Sequence, residues 1–191
     1  MSDNGKRHDV IIGGTGGQGV ITIGYVLAQA ASNFYKYITR FPIYMATMRG
    51  GPALCTVIFS DEEIAAPILS NYHHAITMEN ATFGRFKKGI TDGGQIVLNS
   101  SIIKLKEGEE LNFTPYPVPV TDMAQEMNAP FLANMIMLGA YRQVMGILSD
   151  EAIKDAMEYI LKSEGKESRL EKNLQAYAKG AEYAKSQGWG S

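Results

Sequence analysis

The sequence predicts the α/β class, with a doubly wound, mostly parallel sheet in one domain and helices added at the carboxy terminus. Three observations carry this. A short apolar run, Val10 to Ile12, meets five glycines within seven positions and passes directly into a helical pattern. Further strand-like apolar runs then alternate with turn signals and helical stretches. The last third of the chain keeps helical periodicity almost throughout.

The elements follow in order. A first strand over residues 8–13 leads to a helix over 17–33, whose small and apolar positions Val20, Gly24, Leu27, Ala28 and Ala31 recur at helical spacing. "KYITRFPIY" is extended until Pro42 breaks it, and "MATMRGGP" is a loop before the strand "ALCTVIFS". "HAITMEN" is a strand, "ATFGRFKKGI" a helix with Gly89 near its end, and "TDGG" a turn into the strand "QIVLNSS". "NFTPYPVPVTDMAQEMN" is extended and then helical, with Thr121 or Asp122 as the cap. Three helical stretches close the chain, starting at Pro130, Ser149 and Lys166, and the last is the most polar. It is expected to be an appendage or to pack on a partner.

Composition narrows the function classes. The chain has 191 residues, 45% hydrophobic and 20% charged, enough for one well-packed domain and short for two. A net charge of -2 implies no general nucleic-acid or anionic-membrane surface. The start "MSDNGKRHDV" lacks the apolar core of a secretory signal, and no stretch approaches the roughly 20 apolar residues that span a bilayer, so a cytoplasmic protein is expected. The single Cys55 cannot supply the four thiolates of an iron–sulfur cluster or a structural zinc site, and its strand-like neighbours predict a buried core thiol.

Gly14, Gly16 and Gly19 satisfy G-x-G-x-x-G between a strand and a helix. Glycine lets backbone N–H groups approach an anion, and the positive end of the following helix favours phosphate or diphosphate. The competing reading is a tight turn with close helix–sheet packing. Val20 follows Gly19 where a nucleotide triphosphatase loop needs lysine, so ATP or GTP hydrolysis is disfavoured. Residues 35–44 contain no Asp or Glu to hold an adenine ribose, which disfavours NAD, whereas Arg40 keeps an NADP-binding reductase open.

Four blocks, "GGTGGQGVITIGYVLAQAA", "MATMRGGPALCTVIFSDEEIAAPIL", "GGQIVLNSSII" and "ANMIMLGA", occur in this order. Together they resemble the gamma subunit of the 2-oxoacid:ferredoxin oxidoreductases. The resemblance implies a single Rossmann-like domain over 1–191, with a gamma-type portion over 8–160 and a helical extension over 165–188. It also implies a subunit that is inactive alone. Alpha, beta and delta partners would carry thiamine diphosphate and the iron–sulfur clusters, ferredoxin would accept the electrons, and coenzyme A would be contacted in the complex. 2-Oxoglutarate is the favoured substrate, with pyruvate and branched-chain oxoacids open. A scaffold or assembly protein with an empty glycine loop is the non-enzymatic alternative.

No catalytic residue and no metal site is expected in this chain. The expected ligand contacts are Gly14, Thr15, Gly16, Gly17, Gln18 and Gly19, with Arg49, Gly50 and Asn134. Arg49 in "MRGGP" suits a phosphate or carboxylate, or alternatively a surface salt bridge. Asn134 needs a hydrogen-bond partner if buried, and its neighbours Met135 and Met137 suit packing. Asp61, Glu62 and Glu63 read as a solvated turn. His73 and His74, adjacent on an extended segment with no third ligand nearby, disfavour shared metal ligation.

Overall fold

The structure is a computed structural model, described here over residues 7–44, 51–106 and 108–190. The first strand, β1 (Arg7–Thr15), is followed by α1 (Val20–Ala31), β2 (Tyr37–Tyr44) and β3 (Pro52–Ser60). Next come β4 (Tyr72–Thr77), α2 (Asn80–Phe86), β5 (Ile90–Asn99) and β6 (Thr114–Val118). The helices α3 (Val120–Glu126), α4 (Ala133–Met145), α5 (Asp150–Ser163) and α6 (Leu170–Ser186) complete the order.

The strands form one sheet in the order β2-β3-β1-β4-β5-β6. β1, β4, β5 and β6 pair in parallel, while β3 runs antiparallel to both β1 and β2. The mostly parallel expectation is therefore met, with β3 as the reversed strand. Alternate residues serve opposite faces, as the pleat requires. Val10, Ile12, Cys55, Val57, Ile76 and Val97 face the larger core under α1 and the later helices. Ile11, Leu54, Ala75, Ile96 and Leu98 face a smaller core with Phe83 and Phe86 of α2. Burial on both faces explains why these strands read as continuous apolar runs.

Several local expectations are corrected. β2 continues through Pro42, which is tolerated because β2 is an edge strand; Pro115 and Pro117 sit in the other edge strand, β6. "TDGG" belongs to β5, whose pairing with β4 shifts register between Tyr72 and His74, and Gly93 there adopts φ 75°. α3 is not capped by Thr121 or Asp122. Pro119 holds the cap position, the Thr121 hydroxyl accepts from Asn99 Nδ2 at 2.9 Å, and the Asp122 N–H donates to Ser101 Oγ. α1 starts at Val20 because Gly17 and Gly19 hold positive φ and cannot enter a helix.

α4 is buried on nearly all sides from Asn134 to Tyr141, so Met135 and Met137 are core residues. α6 packs along α4 with Ala176, Tyr177, Gly180 and Ala184 buried. Two glycines permit this crossing. A Cβ on Gly139 would overlap the Tyr177 carbonyl, and one on Gly180 the Ile136 carbonyl. Among the described residues, no helix is long and apolar enough to cross a membrane.

Candidate functional site

The glycine stretch closes on itself at the carboxyl end of β1. The Gln18 N–H donates to the Thr15 carbonyl at 3.1 Å, and the Thr15 N–H donates to Gln18 Oε1 at 2.7 Å. The Gly16 N–H donates to the Gly51 carbonyl at 2.8 Å, tying the loop to the chain entering β3. Each flanking glycine has a separate reason. At Gly14 a Cβ would lie 2.6 Å from Gln18 Oε1 and 2.9 Å from Val20 Cγ2. Gly17 adopts φ 99° with open space where a side chain would stand. Gly19 adopts φ 73°, and a Cβ there would fall within the Asn134 carboxamide.

Over this loop opens a crevice of about 500 Å³, lined by Thr15, Gly16, Gly17 and Gly19, the first turn of α1, and residues 51–53. Its electrostatics come from the backbone. Gly19 caps α1 with no side-chain hydrogen bond and no acidic residue in the first turn, so the N–H groups of Val20, Ile21 and Thr22 have no intrahelical acceptor. The N–H groups of Gly17 and Gly19 likewise have no partner among the described residues. Such a helix start stabilises an anion through its partial positive charge. Thr15, Gly16 and Gln18 contribute differently, because their N–H groups are already engaged within the loop.

The other expected contacts divide. Asn134 is brought against the glycine loop from far along the chain, behind the crevice lining: its carboxamide lies against Gly19, only 7% of the residue is exposed, and its Oδ1 has no hydrogen-bond partner among the described residues. Leaving such an acceptor unpaired costs about 1–3 kcal/mol. Arg49 and Gly50 lie outside the described residues. Arg40, which keeps an NADP site open in the sequence, sits mid-strand opposite Val57, with its guanidinium over the Tyr25 ring at 5.0 Å. It is therefore remote from the strand end where a 2′-phosphate would lie.

Sequence reading overlooked Asn99. It is fully buried, and its Nδ2 donates to the Met78 carbonyl at 3.2 Å as well as to Thr121, locking the carboxyl ends of β4 and β5 to α3. A polar residue ending the apolar run "QIVLN" was the available signal. The Met78 N–H in turn donates to the Gly13 carbonyl at 2.8 Å, which anchors the base of the glycine loop.

At the opposite end of β1, Asp9 is buried and its carboxylate accepts from the His73 N–H and from His73 Nδ1, each at 2.8 Å. His74 donates through Nδ1 to the Asp9 carbonyl at 3.1 Å, and burial holds its pKa below the ordinary histidine value. Both histidines are thus organised around Asp9. No group of three or more His, Cys, Asp or Glu is arranged to hold a metal among the described residues. Cys55 is buried against α1, and desolvation pushes its thiol up to about 11. Asp61, Glu62 and Glu63 are exposed in an irregular segment.

Three comparisons place this fold and loop among known proteins. The chain is 32% identical over 181 residues to the 2-oxoglutarate synthase subunit KorC of Methanocaldococcus jannaschii, covering 94% of this chain and 95% of that one. Its structure is similar to the gamma subunit of a keto/oxoacid ferredoxin oxidoreductase from Geobacter sulfurreducens, with a TM-score of 0.79, 26% identity, and coverage of 95% of this chain and 98% of that one. The fold also matches the 2-oxoglutarate:ferredoxin oxidoreductase of Magnetococcus marinus, solved with 2-oxoglutarate, coenzyme A and succinyl-CoA, at a TM-score of 0.84 and 24% identity. There it covers 95% of this chain but only 31% of the longer chain. Residues 9–183 match the family model for pyruvate ferredoxin/flavodoxin oxidoreductase, a span that holds all of the sheet but the first two residues of β1, together with the glycine loop and α4; the chain belongs to this family, as a gamma-type subunit of a 2-oxoacid:ferredoxin oxidoreductase.

Proposed function

We propose that this subunit forms the coenzyme A side of a complex that oxidises 2-oxoglutarate, releasing CO2 and passing two electrons to ferredoxin while the succinyl group is transferred to the thiol of coenzyme A. The observation that carries the substrate is the end-to-end likeness to a 2-oxoglutarate synthase subunit. The coenzyme A assignment is supported by the crevice, in which unpaired N–H groups of Gly17, Gly19 and the first turn of α1 face open space. A diphosphate there needs no lysine, because backbone donors and the helix start supply the positive potential. In this reading Gly14, Thr15, Gly16 and Gln18 shape the loop, and Arg49 with Gly50 adds a charge-assisted contact from the adjoining segment.

Partner subunits of alpha, beta and delta type supply thiamine diphosphate and the iron–sulfur clusters, in keeping with the single buried Cys55. The complex works in the cytoplasm, and the isolated chain does not turn over. Reconstitution tests all of this. Viologen reduction should require the partners and favour 2-oxoglutarate in kcat/KM over pyruvate and 2-oxoisovalerate. Arg49→Ala should raise the KM for coenzyme A by one to two orders of magnitude, about the worth of a hydrogen bond to a charged group. Gly17→Ala, which places a methyl group in the crevice, should do the same. Unaltered coenzyme A dependence in both variants would make the loop a structural turn, and a preference for pyruvate would reassign the substrate.

A further inference from the structure

At the amino end of β1 a cleft of about 260 Å³ is lined by Asp9, His73, His74, Asp92 and Gln95. Its wall holds a buried charge without a fixed counter-charge. The Asp9 carboxylate is only 4% exposed, and its two oxygens accept from His73 alone, one from the backbone N–H and one from Nδ1. Buried charges are ordinarily paired with an opposite charge. Arg7, which also lines the cleft, is exposed and forms an ion pair with neither Asp9 nor Asp92 among the described residues. The hydrogen bonds around Asp9 also fix the two rings. A carboxylate or carbonyl oxygen only accepts, so Nδ1 carries the hydrogen in both, His73 toward the Asp9 carboxylate and His74 toward the Asp9 carbonyl. In a neutral ring of this tautomer Nε2 is an acceptor, and neither Nε2 has a partner among the described residues. Asp92 keeps one carboxylate oxygen free of its bond from Asn112, and Gln95 keeps Oε1, since its Nε2 donates to the Tyr116 hydroxyl. The lining is thus rich in acceptors and short of donors. A guanidinium is the matching group: planar, always charged, with five N–H donors, no acceptor, and weaker hydration than an ammonium.

We propose that this cleft is the docking site for an arginine side chain of a partner subunit, whose guanidinium donates to the imidazole Nε2 atoms and Asp92 and supplies the counter-charge for Asp9. The proposal rests on the reading above that partner subunits complete the enzyme. It puts this contact at the sheet end opposite the glycine loop, so assembly and coenzyme A binding are separable.

The test uses the reconstituted complex. Asp92 is exposed, so Asp92→Lys reverses a charge at the cleft without entering the core. It should weaken binding of this chain to its partner subunits about tenfold, while the KM for coenzyme A in the assembled complex stays unchanged. The occupant is then identified by cross-linking. Arg7→Cys places a thiol at the rim of the cleft, and the buried Cys55 stays unlabelled. A benzophenone maleimide on that thiol, irradiated in the assembled complex, should cross-link to a partner segment that contains arginine. Replacing that arginine by alanine should weaken assembly as much as Asp92→Lys does, and both changes together no further, as one shared contact requires. Unchanged assembly in Asp92→Lys, additive losses, or cross-links only to a second copy of this chain or to segments without arginine would each overturn the proposal, while an active complex keeps the partner reading. If the chain binds none of the partner subunits and reduces no viologen with them, that reading fails and this inference fails with it.

Discussion

Two glycines of one loop resist substitution for different reasons, and the difference is measurable. Gly17 and Gly19 both hold positive φ, which costs an L-residue about 1–2 kcal/mol. Only Gly19 also meets a neighbour, the Asn134 carboxamide, so Gly19→Ala adds an overpacking penalty of about 1–3 kcal/mol. Thermal unfolding should therefore show Gly19→Ala clearly less stable than Gly17→Ala; equal Tm values would mean that Asn134 moves aside freely. His74 makes a second residue-level prediction. Its folded pKa lies below the unfolded value, so the unfolded chain binds the proton more readily and stability falls as pH drops from 7 through the folded pKa. His74→Gln should flatten the Tm profile between about pH 7 and pH 5, and an unchanged slope would show that this ring does not contribute. Cys55 belongs to the same scale. With its thiol pushed up to about 11 and no exposure, alkylation by iodoacetamide should require unfolding.

Among the elements, the α4–α6 pair is bound most closely. At Gly139 and Gly180 each helix approaches the other's backbone, where a methyl group has no flexible side chain to displace. Gly139→Ala or Gly180→Ala should cost about 2–3 kcal/mol, seen as a Tm fall on the order of 5–10 °C for a chain of this length. Retention of the wild-type Tm would show that α6 can dock differently. This contact corrects the expectation of an appendage and accounts for the polar sequence of α6: small residues at Ala176, Gly180 and Ala184 make the seam with α4, and they register weakly as apolar. The prolines of β2 and β6 show similar limits. Read locally Pro42 ends a strand, yet an edge position lets pairing with β3 continue to Tyr44.

On the scale of the whole molecule, β3 lies between β2 and β1, so the chain returns to β1 before stepping outward through β4, β5 and β6. That return sets residue 51 against the glycine loop, where its carbonyl takes the Gly16 N–H. The two sheet ends consequently have different chemistry. Open N–H groups lie at the carboxyl end of β1, and the Asp9–His73–His74 group lies at its start. A complex assembled with either Asn99→Leu or wild-type chain should separate the roles of floor and lining. Asn99→Leu loses bonds to Met78 and Thr121 and should lower Tm by several degrees. It leaves every lining residue of the crevice unchanged.

By itself the sequence determined the α/β class, the order of strands and helices, the buried Cys55 and the strand–glycine–helix unit, because each depends on residue types and periods within a few positions. It also carried the family resemblance, since four short blocks preserve their order. Only the tertiary structure decided that β3 runs against its neighbours, that Asn99 pins the strand ends, that Asp9 organises both histidines and that Asn134 stands behind Gly19. Those facts join residues distant in sequence. A buried hydrogen-bond acceptor or a missing Cβ has meaning only once the segment facing it is known, and no local pattern specifies that segment.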